Sequence, residues 1–99
     1  MDSNLVKLFG KTAQILILDA FIDGIGEDFS KKEIQELSGL SKATVLNNWA
    51  AVEETGVIKV KRQFGNVKLY TLDTKNPLTK GILELEKKMM KIEEEKIIA

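Results

Sequence analysis

The sequence predicts a mainly α fold that carries one β-hairpin, and three observations predict it. Residues Ser30 to Gly56 hold two short apolar-periodic segments, each behind its own serine and joined through Ser38-Gly39-Leu40. Beyond Gly56 the apolar spacing changes from helical to alternating. After Asn76-Pro77 it becomes helical again and stays so to about Ile98. Helical spacing, then alternation, then helical spacing reads as helices, a hairpin and a closing helix.

Taken in order, Leu5 to Ile22 reads as one helix with a break available at Gly10. Leu5, Leu8 and Phe9 form one apolar cluster, and Ala13, Leu16, Ile17, Ala20 and Phe21 continue at helical intervals. Ile15, Leu18 and Ile22 add apolar side chains on adjoining faces. A helix apolar nearly all round is expected to be covered on more than one side. That predicts a central core helix whose second face meets another subunit. Gly24 and Gly26 end it, and Ile25–Asp28 is a loop.

Ser30 with Glu33 has the spacing of a capping box, in which each side chain satisfies the other's free backbone N–H. Phe29 before the cap and Ile34 after it can form an apolar staple. Ser41 repeats the device, with Leu40 and Val45 at the same interval. Gly39 stands where a left-handed helix terminus needs a residue without Cβ. Helix, glycine turn, helix is the helix-turn-helix pattern. From Ile58 to Arg62, and again from Val67 to Leu72, apolar and polar residues alternate. Gly65-Asn66 between them suits a tight turn. Val60, Leu69 and Leu72 are the expected inward residues, and a lone hairpin must pack on the helices to be stable. Asn76 as cap and Pro77 at the first helical position open the last helix. It should be roughly 33 Å long at 1.5 Å per residue.

Leu78, Ile82, Leu85, Met89 and Ile92 recur at spacings of 4, 3, 4 and 3, a heptad seam, with Leu83, Met90 and Ile97 in a flanking row. A second copy of the same helix is the simplest way to bury it, so a homodimer is expected. The competing reading folds this helix back across the first helix of its own chain. The sequence divides into residues 1–76 and a dimerisation helix, 77–99.

Composition narrows the chemistry. There is no Cys and no His, which removes disulfides, thiol redox chemistry and the usual Ser or Cys triads. It also disfavours a zinc, copper or iron site. No metal, cofactor or enzymatic activity is expected, because the scattered carboxylates form no recognisable catalytic pair. Residues Met1–Leu8 carry an Asp and no long apolar run, and no stretch approaches the ~20 apolar residues of a membrane span. A soluble, cytoplasmic protein without membrane attachment is expected.

The formal net charge is zero, yet the charge is unevenly spread. Residues 1–40 hold four lysines against seven acids, net −3, whereas residues 41–76 hold six basic residues against three acids, net +3. Positive charge gathers in the second Ser-capped helix and the hairpin, and patches rather than totals steer a polyanion.

The element order helix, helix, helix, hairpin, long helix is that of a winged helix-turn-helix. The chain resembles the ArsR/MarR-type winged-helix transcriptional regulators, especially small archaeal members. The resemblance rests on Leu8-Phe9-Gly10-Lys11-Thr12, on Ser41–Val45, and on Glu53-Glu54-Thr55-Gly56-Val57-Ile58. Gly65 with Lys68–Leu72, and then Asn76-Pro77-Leu78, complete it. It implies a dimeric, sequence-specific regulator that binds double-stranded DNA. Residues 41–55 would enter the major groove, and the wing, residues 57–72, would lie on the backbone or minor groove. The metal-sensing thiol and imidazole ligands of part of this family are absent. No small-molecule effector can be read from the sequence.

The residues themselves fit such a role. Val45, Trp49 and Val52 repeat at 4 and 3 and should face the core. Lys42, Ala43, Thr44, Leu46, Asn47 and Asn48 then face outward. Ser41, Lys42 and Thr44 suit phosphate or base contacts, Asn47 can pair bidentately with adenine, and Ala43 and Leu46 can touch thymine methyls. Leu46 can equally pack on the neighbouring helix. Lys31 and Lys32 sit at a helix N-terminus, which attracts phosphate. Lys61, Arg62 and Lys68 lie on the wing, with Arg62 the best candidate for a backbone or minor-groove contact. Two alternatives compete: a winged helix used for protein–protein contact, as zero net charge permits, and a non-specific architectural DNA binder.

Overall fold

Each helix of this chain starts where a short polar side chain can catch an orphan backbone N–H. The computed structural model describes residues 2–98, with side chains described through residue 96. Its elements run α1 (Asn4–Phe9), α2 (Ala13–Asp23), α3 (Lys31–Ser38), α4 (Lys42–Glu54), β1 (Ile58–Phe64), β2 (Val67–Leu72) and α5 (Pro77–Ile98). The fold is thus mainly helical, with one two-stranded antiparallel hairpin and a C-terminal helix.

The single helix expected over Leu5–Ile22 is two helices. Gly10 takes φ 89°, and the Thr12 hydroxyl then accepts the N–H of Ile15 at 3.2 Å to start α2 afresh. The break leaves Leu8 and Phe9 more than half exposed, while Leu5 and Val6 are buried. The capping box at α3 is complete: Ser30 N–H donates to Glu33 Oε1 at 3.0 Å and Glu33 N–H to Ser30 Oγ at 3.2 Å. Gly39 adopts the left-handed conformation, φ 74°.

The core joins α2, α3, α4 and the hairpin. A run of four aromatic rings crosses it. Phe29 meets Phe21 edge-on at 5.9 Å, Phe21 meets Trp49 at 6.0 Å, and Trp49 meets Tyr70 at 4.9 Å. Edge-to-face pairs at such distances add to what burial alone contributes. Trp49, Val45 and Val52 all face inward, as their spacing predicted.

The hairpin departs from simple alternation. Val60 pairs with Tyr70 and Arg62 with Leu69, so Lys61 is an extra residue in β1, a bulge. Ile58, Tyr70 and Leu72 are buried, Thr71 is buried as well, and Leu69 is only partly covered. The expectation for Leu72 holds; those for Val60 and Leu69 do not, and Val60 is exposed. Tyr70 is the inward residue because its ring fills the space beside Trp49. The loop before α3 is stitched to β2: Phe29 and Tyr70 exchange two backbone hydrogen bonds at 2.7 Å. The Thr71 hydroxyl also donates to Glu27 O at 2.8 Å.

Asn76 both caps α5, accepting the Leu78 N–H at 2.8 Å, and donates to Gly56 O at 2.9 Å. Gly56 has φ 77°, and a Cβ there would come within 2.5 Å of Asn76 Nδ2. Gly56→Ala is therefore expected to cost about 1–3 kcal/mol, read as a lower denaturant midpoint at unchanged slope. The first turns of α5 join the body, with Thr79 buried and Ile82 against the core.

Farther along, α1 of the same chain lies beside α5. Asn4 Nδ2 donates to Glu86 Oε1 at 3.2 Å, and Lys7 pairs with Glu93 at 3.4 Å. The seam is therefore not bare: Ile82, Leu85 and Met89 are partly covered, whereas Leu78 and Ile92 are about half exposed. In the flanking row Leu83 is partly covered and Met90 exposed; the side chain of Ile97 lies outside the described residues. Among the described residues, no helix is long and apolar enough to cross a membrane.

Candidate nucleic-acid interface

The serine caps fix where α3 and α4 begin, and the hairpin turn comes back to the same place. The result is a groove. One hollow, of about 450 Å³, is lined by Ser30, Lys31, Lys32, Lys68 and Tyr70 with the turn residue Asn66 and Val67 at the start of β2. A second, of about 760 Å³, shares Lys31, Lys32, Asn66 and Val67 and continues to Gln35, Lys42, Val45 and Leu46. Four lysines line the two hollows and no acidic residue does. Among the described residues, none of these four lysines has a carboxylate within ion-pair distance, whereas Lys7, Lys11, Lys59 and Lys88 each have one.

Lys31 is the most embedded of the four. Its Nζ lies 5.5 Å from the Trp49 ring centroid and 6.0 Å from that of Tyr70. The ring faces hold the ammonium in place without neutralising it. Burial, with the Glu53 carboxylate adding to it, raises the Tyr70 hydroxyl above its ordinary pKa. The Trp49 indole opposes that rise, but its Nε1 is buried without a partner at hydrogen-bond geometry.

Compared with family models, curated proteins and solved structures, the chain matches none of them.

The expected site residues are not all placed alike. Lys31, Lys32, Lys42, Leu46 and Lys68 come together around the groove. Ser41, Ala43 and Asn47 are exposed on the adjoining face of α4, and Lys61 is exposed at the bulge. The polar groups of Ser41, Thr44 and Asn48 are engaged within the helix. Ser41 Oγ and Thr44 Oγ1 are bonded to each other at 2.8 Å, and Asn48 Nδ2 donates to Thr44 O at 2.8 Å. Asn48 is thus half-buried and turned back on its own helix, because its amide reaches the carbonyl one turn earlier.

Arg62 stands apart. It does not line the groove. Its Nε donates to Asp28 Oδ2 at 2.6 Å and its Nη2 to Asp28 Oδ1 at 3.3 Å. The hydrogen bond from Arg62 holds the Asp28 carboxyl below its usual range, partly offset by desolvation, and the Arg62 guanidinium is raised in turn. Asp28, expected only as a loop residue, Asn66, expected only in the turn, and Val67, expected only as the start of the second strand, are site residues that the sequence reading does not mark. No local signal marks Asp28, since its partner lies 34 positions away. Among the described residues no group of His, Cys, Asp or Glu could hold a metal ion.

Proposed function

We propose that this chain is a winged helix-turn-helix transcriptional regulator that binds double-stranded DNA as a homodimer. The observation that carries the reading is the acid-free groove lined by four unpaired lysines beside the exposed face of α4. A helix of this kind fits the major groove of B-DNA, with its N-terminal turns at the base edges. On this reading α4 enters the groove, with Asn47, Ala43 and Leu46 toward the bases. Lys31, Lys32, Lys42 and Lys68 neutralise phosphates on either side, and β1–β2 is the wing. Phosphate contacts set position and base contacts set sequence preference.

The test is a DNA-binding titration at two salt concentrations. Affinity should fall steeply with salt, and selected fragments should carry half-sites about one helical turn apart. Salt-sensitive binding with no sequence preference would mark an architectural DNA binder instead. Absence of binding would favour protein–protein contact, which exposed Leu37 and Leu46 on α3 and α4 would serve.

The half-exposed Leu78 and Ile92 on α5, with exposed Leu8 and Phe9 on α1, support dimerisation. Ile92→Glu is expected to halve the mass measured by light scattering with little change in melting temperature. An unchanged mass would remove the seam from the interface.

A further inference from the structure

The Asp28–Arg62 pair has an unusual exposure. The Asp28 side chain is 14% exposed, whereas that of Arg62 is 57% exposed. The carboxylate is thus seated in the molecule, while much of the guanidinium faces outward. The guanidinium also lies 5.5 Å over the ring of Phe64, which is itself exposed. Asp28 is held in position by its neighbours, because Glu27 and Phe29 on either side are both bonded to β2. The bulge at Lys61 sets the register that carries Arg62 to this place.

A two-bond fork between guanidinium and carboxylate is the geometry by which arginine also grips a phosphate. We propose that Asp28 is an internal stand-in for a DNA backbone phosphate. It keeps Arg62 extended and oriented in the free protein, and it yields Arg62 to a phosphate when duplex is bound. This deepens the DNA-binding reading and rests on it. Arg62 then supplies an anchor beyond the groove, and Asp28 is a positioning residue that tempers affinity, because its pair must be given up. The exchange has a cost, because it leaves the largely covered Asp28 carboxylate with Lys61 as its remaining cation, and that cost is how the pair tempers affinity. Lys61, the other cation that acts on Asp28, favours the arriving phosphate as well.

The test compares the full chain with Asp28→Asn, Arg62→Gln and the double variant. Each is titrated with a mixed-sequence duplex of about 30 base pairs between roughly 50 and 200 mM salt. Asp28→Asn should bind roughly two- to fivefold tighter with the same salt slope. Arg62→Gln should bind more weakly, with the slope reduced by about 0.9. In the Arg62→Gln background, Asp28→Asn should give no gain. An Asp28→Asn variant that binds equally or more weakly would overturn the proposal, because the pair would then only brace the wing. An equal gain in both backgrounds would overturn it too, as simple loss of a repelling charge. Should Asp28→Asn fold poorly, the Arg62 Nε–H resonance of the unaltered chain decides: it should shift on adding duplex, and an unmoved signal overturns the exchange. If the unaltered chain binds no duplex at any salt, this proposal and the DNA-binding reading fall together. Binding without exchange removes only the former.

Discussion

Trp49→Ala is expected to lower the free energy of unfolding by about 3–5 kcal/mol, a large share of the ~5–15 kcal/mol that holds a typical domain. Trp49 is only 2% exposed and stands between Phe21 and Tyr70 in the aromatic run. It ties α4 to both α2 and the hairpin, and it is one of the two rings beneath Lys31. Truncation opens a cavity that three elements share, so collapse around it is limited. Trp49→Phe should cost far less. It keeps most of the ring volume and removes the buried Nε1 that has no partner, and an orphaned donor is itself a penalty. Chemical denaturation followed by circular dichroism measures both. If the alanine variant unfolds within about 1 kcal/mol of the unaltered chain, a loss typical of an average substitution, then Trp49 does not hold these elements together.

The combined change Lys31→Gln, Lys42→Gln and Lys68→Gln is expected to weaken duplex binding roughly a hundredfold or more near 0.1 M salt, with the salt slope reduced by about 2.7, or 0.9 per lost phosphate contact. The three residues come from α3, α4 and β2 and converge on the groove. Folding should change little, because only Lys31 has a ring contact to lose, worth about 0.5–1 kcal/mol at such a site. A matched control makes the test sharp. Lys80→Gln, Lys87→Gln and Lys91→Gln remove the same charge from the exposed surface of α5. If both triple variants weaken binding alike, bulk charge rather than the groove attracts the duplex.

Local chemistry made much of this fold legible in the sequence. Ser30, Ser41 and Asn76 each cap the helix they were assigned, because capping depends on a few adjacent atoms. The inward stripe of Val45, Trp49 and Val52 was legible for a similar reason: helical period alone places it. The hairpin's facing was not. Alternation fixes which residues share a face only while the register is unbroken, and nothing in Lys59-Val60-Lys61-Arg62 announces a bulge at Lys61. In β2, however, alternation itself decides: Leu69 and Leu72 lie on opposite faces, so Tyr70, two before Leu72, is the inward residue. The break in the first helix was visible as Gly10, but Thr12 as the new cap was not weighed. Of the candidate site, the four lysines of the groove were legible individually as cations on exposed periods. Their convergence with Asn66 and Val67 was not, because it depends on how the hairpin folds back. The engagement of Arg62 by Asp28 was equally hidden, being a contact between distant segments.

The stitching of Phe29 to Tyr70 has a consequence for the behaviour of the chain at high concentration. A bare two-stranded ribbon offers two rows of unsatisfied amides on which another molecule can nucleate edge-to-edge aggregation. Here the outer side of β2 is occupied by residues 27–29. The outer side of β1 is interrupted by its irregular register and studded with Lys59, Lys61 and Arg62. One ladder position on β2 is thereby already taken at Tyr70, and the basic, irregular margin of β1 disfavours a further strand.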